Sequence, residues 1–510
     1  MRAVLALVAL ALLVAACTNA PSASRDEHGA RPPNVIVILA DDLGVGELGC
    51  YGQTKIRTPN VDALARGGLR FTQYYAGAPL CAPSRCALLT GRHAGHGWIR
   101  DNKELEPEGQ EPLRAEEVTL AELLRSRGYA TACIGKWGLG GPKSVGEPNA
   151  QGFDHFFGFL CQRRAHDHYP TYLWRDGARV VLPGNPGDAP GASYAEDLFA
   201  DDALAWVEAQ RARPFFLYFT PTIPHASLQA PAEDVAQYEG AFADAPYDGT
   251  QGYIKVAKPH ATYAAMVTRL DRDVGRIVAK VDELGLARDT LILFASDNGP
   301  TYDRVGGADS DFFASAMGRR GRKGSVYEGG IRAPLVARWS GTIAPGRTSD
   351  EPVAAWDLLP TICELVDARA GAGATESHTT KASPSSAEST RARSSTASST
   401  TSSTPAVLAL PDDLDGTSLV PLLRGEPFGV KRELYWELAS YGGQQAVRFG
   451  AWKAVRQRMN AGNRAIELYD LAHDPNETRD VAAEHPELVE HARKLFTSSR
   501  TDSALFPLGP

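Results

Sequence analysis

A cysteine and an arginine lie four residues apart in the segment Cys-Ala-Pro-Ser-Arg, at Cys81 and Arg85. If a helix begins at the cysteine, the arginine follows one turn later and places a fixed cation beside the sulfur. A proline-containing turn that begins a helix with a buried thiol has the same pattern, so the segment alone leaves both interpretations open. The Leu-Thr-Gly-Arg that follows at 89–92, together with the polar pairs described next, favours a chemical role.

Two pairs of oxygen-bearing side chains, Asp41-Asp42 and Asp297-Asn298, each follow an apolar run of the sequence. Carboxylate and amide oxygens are ligands that calcium accepts in a flexible shell. Taken alone, each pair is more typical of a turn or of the residue that caps a helix. Their joint occurrence favours a site for one calcium ion, where the metal would act as a Lewis acid.

The elements that must position these residues are predicted to be strands buried on both faces. Continuous apolar runs at 34–40, 214–219 and 290–295 are typical of a mostly parallel sheet. Each run ends in polar residues, and ligands bind outside the carboxyl ends of strands in open α/β sheets. Helical patterns lie between the runs, at 119–127, 197–210 and 262–284. We therefore expect an α/β fold with a large, mostly parallel sheet flanked by helices.

A change of composition divides the last third of the chain. From about 370 to 405 the sequence is mainly Ser, Thr, Ala and Gly with almost no large apolar residue, which predicts a disordered insertion. Beyond it, strands are predicted at 433–438, 445–455 and 465–471, and a helix at 486–498. The predicted domains are a catalytic domain at 34–368, the insertion at 369–410 and a small C-terminal α+β subdomain at 411–510.

The N-terminus has the pattern of an export signal. Arg2 precedes an apolar run that is too short to span a bilayer, and the following Val-Ala-Ala-Cys, which ends at Cys17, resembles the lipobox of bacterial lipoproteins. These features predict a lipoprotein signal peptide at 1–17, a polar tether at 18–33 and a periplasmic or outer-membrane-anchored protein. An ordinary cleaved signal with an incidental cysteine is the alternative.

Composition and charge limit the classes of partner. Hydrophobic residues make up 43% of the chain and charged residues 22%, which is typical of a soluble globular protein. The formal net charge of -8 argues against nucleic acid as a partner, so an anionic substrate would need a local cationic pocket. Apart from Cys17 and Cys81, five of the seven cysteines remain, and this odd number leaves at least one unpaired within the chain.

The segment at 81–92 resembles the signature at which type I sulfatases, members of the alkaline-phosphatase-like superfamily, have a cysteine oxidised to formylglycine. The resemblance covers 34–368 and continues from 415 to about 499. It implies that a formylglycine-generating enzyme converts Cys81 to an aldehyde, whose hydrate attacks the sulfur of a sulfate monoester. It also implies that one calcium ion is bound by Asp41, Asp42, Cys81 in its converted form, Asp297 and Asn298.

Three further segments resemble parts of the sulfatase active site. Lys136, in the segment at 135–140, is implied to contact sulfate, and Lys323, in the segment at 321–334, is implied to contact sulfate and the leaving group. His225 follows the predicted strand at 214–219 and is the candidate to protonate the leaving alcohol oxygen. The implied catalytic residues are Cys81, Arg85, Lys136, His225 and Lys323, and their cations supply the pocket that an acidic chain requires.

One position departs from the family pattern. Where sulfatases have Gly-Lys-Trp-His-Leu-Gly, this chain has Gly-Lys-Trp-Gly-Leu-Gly, so that Gly138 replaces the histidine that contacts the formylglycine hydrate. Glycine has no titratable group, and another base is therefore needed when the sulfated diol breaks down. His166 and His168, in a loop further along the chain, are the candidates.

The sequence is compatible with three functions. The leading hypothesis is a calcium-dependent sulfatase that acts outside the cytoplasm on sulfated saccharides or aryl sulfates. Sulfated saccharides are the preferred class, because the aromatic segment at 169–174 suits stacking on a sugar ring. Gly138 also motivates a second hypothesis, a non-catalytic lipoprotein that binds sulfated glycans. A phosphate or phosphonate monoester hydrolase of the same superfamily is the third, and a different metal with an unmodified nucleophile would favour it.

Overall fold

Two β-sheets organise the protein, one large and one small. The computed structural model describes residues 31–375 and 407–509, except residues 188 and 303. The strands of the large sheet are β1 Asn34–Ala40, β2 Leu69–Tyr75, β3 Ala130–Lys136, β4 His155–Phe159, β5 Tyr172–Arg175, β6 Ala178–Val181, β7 Phe215–Thr220, β8 Thr290–Ser296, β9 Arg332–Arg338, β10 Arg347–Ser349 and β11 Val353–Ala354. Their order is β10-β2-β9-β8-β1-β7-β3-β4-β5-β6, and β11 also pairs with β2.

Four neighbouring strands at the centre of this sheet, β8, β1, β7 and β3, run parallel to one another. Every residue in them is buried, as expected for strands covered on both faces. Ala40 at the end of β1 pairs with Ser296 at the end of β8, and Gly135 near the end of β3 pairs with Thr220 of β7. The four carboxyl ends therefore meet at one edge, which is where ligands bind in such sheets.

Helices cover both faces of the large sheet. The helices are α1 Pro59–Arg66, α2 Cys81–Thr90, α3 Leu120–Ser126, α4 Ala195–Gln210, α5 Ala232–Ala236, α6 Pro259–Glu283, α7 Glu328–Ile331, α8 Leu358–Thr375, α9 Val420–Arg424 and α10 Pro486–Ser498. On one face, α2, α3 and α8 pack with Val35, Val37 and Leu39 of β1. On the other face, α1, α4 and α6 pack with Ile36 and Ile38. This alternation along β1 follows from the two-residue period of a strand, and it confirms the predicted α/β architecture.

The C-terminal segment forms a separate antiparallel sheet of four strands, β12 Glu433–Leu438, β13 Gln444–Phe449, β14 Trp452–Arg456 and β15 Glu467–Asp470. Helix α10 packs on this sheet through Ala492 and Phe496, which completes the predicted α+β subdomain. The single strand predicted at 445–455 is wrong, because the chain reverses at Gly450, which has a φ of 60°. Apolar residues continue on both sides of this turn, so the sequence pattern concealed it.

A buried group of charges joins the two sheets. Lys453 of β14 lies 3.0 Å from Glu328 Oε1 and 2.8 Å from Glu477 Oε1, and all three side chains are fully buried. Arg332 at the start of β9 also binds Glu328, at 3.0 Å. Nearby, the indole N–H of Trp436 donates to the carbonyl of Ala76 at 2.9 Å. The C-terminal sheet is thereby held against the large sheet by charge pairs as well as by packing.

The bounds of several elements agree with the sequence predictions. The strand at 34–40 and the helix at 486–498 are observed at those positions. Helix α8 continues to Thr375, past residue 368, where the catalytic domain was predicted to end. The predicted signal peptide, Cys17 and most of the tether fall in residues 1–30, and most of the predicted insertion falls in 376–406, so these predictions lie outside the described residues.

Two further features concern the helices and cysteines of the described residues. Within residues 31–375 and 407–509, no helix has the length and apolar character needed to cross a membrane. The six cysteines in this part of the chain are all free thiols, and every one except Cys50 is buried.

Candidate active site

The first acidic pair lies where β1 ends. The backbone turns sharply there, with Asp42 in the left-handed region at a φ of 65°. The Asp42 N–H donates to Asp297 Oδ1 at 3.2 Å, and the Leu43 N–H donates to Ser296 Oγ at 2.9 Å. Through these bonds, the residues that follow β1 and those that follow β8 form one buried corner, as the sequence predicts for the two pairs.

Helix α2 brings Cys81 and Arg85 to this corner. All ten of its residues are buried, and its first turn is held by a 3.0 Å hydrogen bond from the Ala82 N–H to Asn102 Oδ1. Cys81 is the first residue of the helix, and its Sγ lies 3.5 Å from Asp41 Oδ1. Arg85 lies one turn later and donates to Asp297 Oδ2 from Nη2 at 2.8 Å and from Nε at 3.2 Å.

Two lysines and a histidine complete the cluster. Lys136, the last residue of β3, places Nζ 2.5 Å from Asp41 Oδ2. Lys323 Nζ lies 2.8 Å from Asp42 Oδ1 and 3.0 Å from Asp42 Oδ2. His225, in the loop after β7, places Nε2 3.5 Å from the same carboxylate. All the sequence-predicted catalytic and metal-binding residues therefore lie in one buried cluster at the carboxyl ends of β8, β1, β7 and β3.

The donor set fits a hard divalent cation. Asn298 donates through Nδ2 to Asp42 Oδ1 at 2.7 Å, whereas its buried Oδ1 has no hydrogen-bond partner among the described residues. Ligand atoms of Asp41, Asp42, Cys81 and His225 all lie within 4.8 Å of one another. An unpaired amide oxygen beside two carboxylates is the arrangement that a calcium ion would satisfy.

Burial and charge set the protonation of the cluster. Burial alone would raise the pKa of Asp41, but the charges of Lys136 and Arg85 hold it well below its usual range, so Asp41 is ionised. Burial raises the pKa of the Cys81 thiol to about 12 despite the two lysines. Burial, reinforced by the charge of Lys323, lowers the pKa of His225 well below its usual range, so this imidazole is neutral.

A side chain at position 138 would meet both an unfavourable backbone conformation and the end of the Gln162 side chain. Gly138 has a φ of 79°, and a Cβ built there would overlap Nε2 of Gln162. The Gln162 side chain is buried, and its Oε1 has no hydrogen-bond partner within the described part of the chain. Gln162 thus occupies the space into which a residue at 138 would project, and no pattern in the sequence pointed to it.

The two candidate histidines have different surroundings. The His166 ring stacks on the His225 ring, with centroids 4.5 Å apart and planes at 15°. Burial, reinforced by the charges of Lys136 and Lys323, holds the pKa of His166 well below its usual range, so the ring is neutral. His168 is fully buried instead, with Nε2 3.1 Å from the His225 carbonyl and Nδ1 3.0 Å from Thr222 Oγ1. His166 therefore lies at the site, and His168 supports the loop that carries His225.

The aromatic segment at 169–174, predicted to stack on a sugar ring, makes contacts within the protein. Tyr169 packs on Tyr194 with ring centroids 5.1 Å apart, and the Trp174 indole donates to Glu108 at 2.8 Å. The rings next to the cluster come from other parts of the chain, which the sequence analysis did not single out: Tyr253, Tyr302 and Tyr441.

A large mixed sheet whose central strands end at a buried cluster of carboxylates, cations and one cysteine defines a hydrolase of the alkaline-phosphatase-like superfamily. The sequence model of one family, described as Sulfatase, matches residues 33–368. The chain belongs to the sulfatase family, whose members are sulfuric ester hydrolases.

Known relatives cover nearly the whole chain. Arylsulfatase A of Homo sapiens is 33% identical over 531 residues, covering 94% of this chain and 90% of that protein. The N-acetylgalactosamine-6-O-sulfatase of Bacteroides thetaiotaomicron is 27% identical over 544 residues, covering 93% and 94%. The crystal structure of Ps i-CgsB in complex with k-i-k-neocarrahexaose has a TM-score of 0.72 at 25% identity, covering 92% of this chain and 94% of that chain.

Proposed function

We propose that this sulfatase hydrolyses sulfate monoesters of saccharides, using a formylglycine made from Cys81 and one calcium ion. The observation that carries the proposal is the position of Cys81, at the start of a buried helix and 3.5 Å from Asp41. An unmodified thiol is a poor nucleophile here, because its raised pKa keeps it protonated at neutral pH. Conversion to an aldehyde would remove this obstacle.

The formylglycine aldehyde and the calcium ion would each contribute different chemistry. The aldehyde, when formed, supplies a hydrate hydroxyl for attack on sulfur, and calcium, when bound, supplies Lewis acidity at a sulfate oxygen. Asp41, Asp42, Asp297 and Asn298, together with residue 81, would hold the ion. Lys136 and Lys323 neutralise Asp41 and Asp42 in this structure. With an ion held by these carboxylates, both ammonium groups would be available to bind the sulfate oxygens.

His225 and His166 are the proton carriers of the proposed reaction. The Nδ1 of His225 contacts the carbonyl of Ala226, which leaves Nε2 directed toward Asp42. We assign Nε2 to the leaving alcohol oxygen: the ring must first take up a proton, which the negative charge of a bound sulfate ester would favour, and Nε2 then donates that proton as the S–O bond breaks. His166, stacked on His225 and neutral, takes the role of base that Gly138 cannot fill. Arg85 holds Asp297 through two hydrogen bonds and keeps that carboxylate in place beside the nucleophile.

The test combines chemistry at residue 81 with turnover. The protein is produced together with a formylglycine-generating enzyme, the peptide spanning residue 81 is analysed by mass spectrometry, and sulfate release is measured from sulfated mono- and oligosaccharides. We expect an aldehyde at residue 81, sulfate release by the wild type, and none by C81A. The control is C86A, which removes another buried thiol from the same helix and should retain activity. An intact thiol in active protein would contradict the proposal.

The same assay separates the alternative functions. A non-catalytic protein that binds sulfated glycans would retain the pocket and bind sulfated saccharides but release no sulfate. A phosphate or phosphonate monoester hydrolase would release phosphate or phosphonate and would do so with an unmodified Cys81.

Calcium binding is tested without turnover. Calcium should raise the thermal stability of metal-free protein, since a ligand at 100 times its Kd stabilises by about 2.7 kcal/mol. N298A removes the unpaired amide oxygen and should weaken this stabilisation, whereas N463A, which alters an amide in the C-terminal sheet region, should not. An equal calcium response in N298A and wild type would argue against the site.

We also propose export with a lipid anchor on Cys17, supported by the Val-Ala-Ala-Cys pattern that ends there. In bacterial cells, C17S should move the protein from the membrane fraction to a soluble fraction. An unchanged distribution would leave an ordinary cleaved signal as the better interpretation.

A further inference from the structure

Three tyrosines from distant parts of the chain lie beside the catalytic cluster. The Tyr253 ring is 5.8 Å from the His166 ring. The Nζ atom of Lys323, another residue of the cluster, lies 6.0 Å from the centre of the Tyr302 ring. Tyr302 in turn stacks on Tyr441 from the C-terminal subdomain, with centroids 5.7 Å apart and planes at 23°.

Glycines allow these rings to lie directly against the backbone. A Cβ on Gly306 would lie 3.1 Å from Tyr253 Cγ, and one on Gly324 would lie 3.0 Å from Tyr302 Cε1 and 3.2 Å from Tyr441 Cε1. Both glycines have positive φ, 60° and 79°, so the backbone conformation also disfavours a side chain there. Gly324 follows Lys323 directly, which fixes the tyrosine pair next to a catalytic cation. All three rings therefore pack against the backbone at these glycines.

The exposure of the rings increases away from the cluster. Tyr253 and Tyr302 are half-buried, whereas Tyr441 is 54% exposed. Burial raises the pKa of Tyr253, whose ring lies beside His166. The hydroxyls of Tyr302 and Tyr441 contact each other. The surface beside the cluster thus combines aromatic faces with phenolic hydroxyls.

We propose that Tyr253 and the Tyr302–Tyr441 pair form the subsite for the leaving group, and that this subsite takes the pyranose ring of a sulfated sugar. The inference rests on the proposed sulfatase function. A pyranose has C–H faces that pack on aromatic rings and hydroxyls that bond to phenolic oxygens, so it matches both features of this surface. A wholly apolar leaving group would offer no hydrogen-bond partner to the Tyr253 hydroxyl.

The experiment compares tyrosine variants with two kinds of substrate. Y253A, Y302A and Y441A are assayed with N-acetylgalactosamine 6-sulfate, glucosamine 6-sulfate and 4-nitrophenyl sulfate. We expect Y253A and Y302A to lower kcat/KM for the sugar sulfate that the wild type prefers about tenfold, mainly through KM. Y441A, which truncates an exposed ring and so should not impair folding, should lower it about threefold. The change with 4-nitrophenyl sulfate should be smaller than twofold in each case.

A matched control uses a tyrosine that lies elsewhere. Tyr172 of β5 is half-buried like Tyr253 but binds Glu108 through its hydroxyl, so Y172A should leave kcat/KM for both substrates unchanged. Equilibrium binding of the same sugar sulfates by calorimetry, with C81A in every protein so that no turnover occurs, gives a readout that does not depend on catalysis. C81A should bind the preferred sugar sulfate more tightly than C81A/Y253A does.

Each outcome decides the inference. Equal losses with sugar and aryl substrates, or a wild type that hydrolyses only 4-nitrophenyl sulfate and binds no sugar sulfate, would overturn the sugar subsite while the sulfatase function stands. Tyrosine-dependent binding of sugar sulfates without any sulfate release would uphold the subsite and contradict the proposed function. A larger effect of Y172A than of Y253A would place the subsite at the other aromatic segment and overturn the inference.

Discussion

Gly138 shows how a single residue shapes its surroundings at this site. Its left-handed backbone and the adjacent Gln162 amide both oppose a side chain at this position. We predict that G138A destabilises the protein by about 1–3 kcal/mol and lowers kcat, because the left-handed backbone disfavours a Cβ and the added methyl must displace the Gln162 amide, two residues after Lys136 in the chain. Thermal unfolding and steady-state kinetics of the variant provide the measurement.

Two comparisons separate the causes of this effect. G128A places alanine at a φ of 83° in open space, so it should show only the backbone cost. G138A/Q162A should recover the steric part of the loss. A G138A variant as stable as G128A would show that Gln162 moves without cost, which would contradict the prediction.

His166 is the residue whose removal should affect the second half of the reaction most. We predict that H166N lowers kcat about 100-fold, because His166 is the neutral base that stacks on His225. Rapid-mixing kinetics with an aryl sulfate should show a burst of alcohol release followed by slow turnover. H473N, which alters a histidine with an 85% exposed side chain, serves as the control and should behave as wild type. Unchanged kcat without a burst in H166N would rule out this role.

The difference between residues that were predicted from the sequence and residues that were not has a physical basis. Asp41 and Asp297 follow directly on buried strands. Their positions are therefore set by where each strand ends, and a short stretch of sequence is enough to show it. Tyr253, Tyr302 and Tyr441 are far apart in the sequence and come beside the cluster only in the folded protein, on segments without a helical or strand period. Such positions depend on how distant loops pack, and a single sequence carries no local signal for them.

At the scale of elements, the end of α2 depends on a buried histidine. Gly91 follows the helix with a φ of 70°, and its carbonyl accepts the Asp415 N–H at 3.0 Å. His93 Nδ1 accepts the Gly95 N–H at 3.1 Å, and its Nε2 lies 3.3 Å from Asp415 Oδ1. This arrangement needs neutral His93, because its protonated ring could not accept the Gly95 N–H. It joins the helix that carries Cys81 to the chain beyond the predicted insertion.

The pH dependence of stability follows from this histidine. Burial lowers the pKa of His93 from 6.5 to about 4, so the unfolded chain binds a proton in this range before the folded chain does. Stability is therefore complete above pH 6.5 and decreases as the pH falls toward 4, by about 3 kcal/mol. Thermal unfolding as a function of pH measures the slope. H93Q should be less stable at pH 7 but should lose this slope, and an equal slope in both proteins would refute the assignment.

The two sheets depend on each other through Lys453. Removing one partner of a buried charge pair leaves uncompensated charge, which costs about 3–5 kcal/mol. K453M leaves Glu328 and Glu477 buried without their shared cation, so we predict a loss of that order and a lower Tm. K103M, which breaks an ion pair of a lysine with a 42% exposed side chain, should change stability by less than about 1 kcal/mol.

A compensating variant tests the electrostatic cause. K453M/E477Q removes one of the two carboxylates that have lost Lys453 and should recover part of the loss in stability. A double variant no more stable than K453M would show that the loss does not come from uncompensated charge on Glu477.

The burial of Cys81 has a consequence for when the protein must be made competent. The side chain is 1% exposed, and helix α2 has the large sheet on one side and Trp356 and Trp436 of the neighbouring hydrophobic cluster close by. An oxidising enzyme cannot reach this sulfur once the chain has packed, so the proposed maturation has to precede folding. Protein folded without it would remain inactive however much maturation enzyme were added later, and only chains unfolded and exposed again would respond.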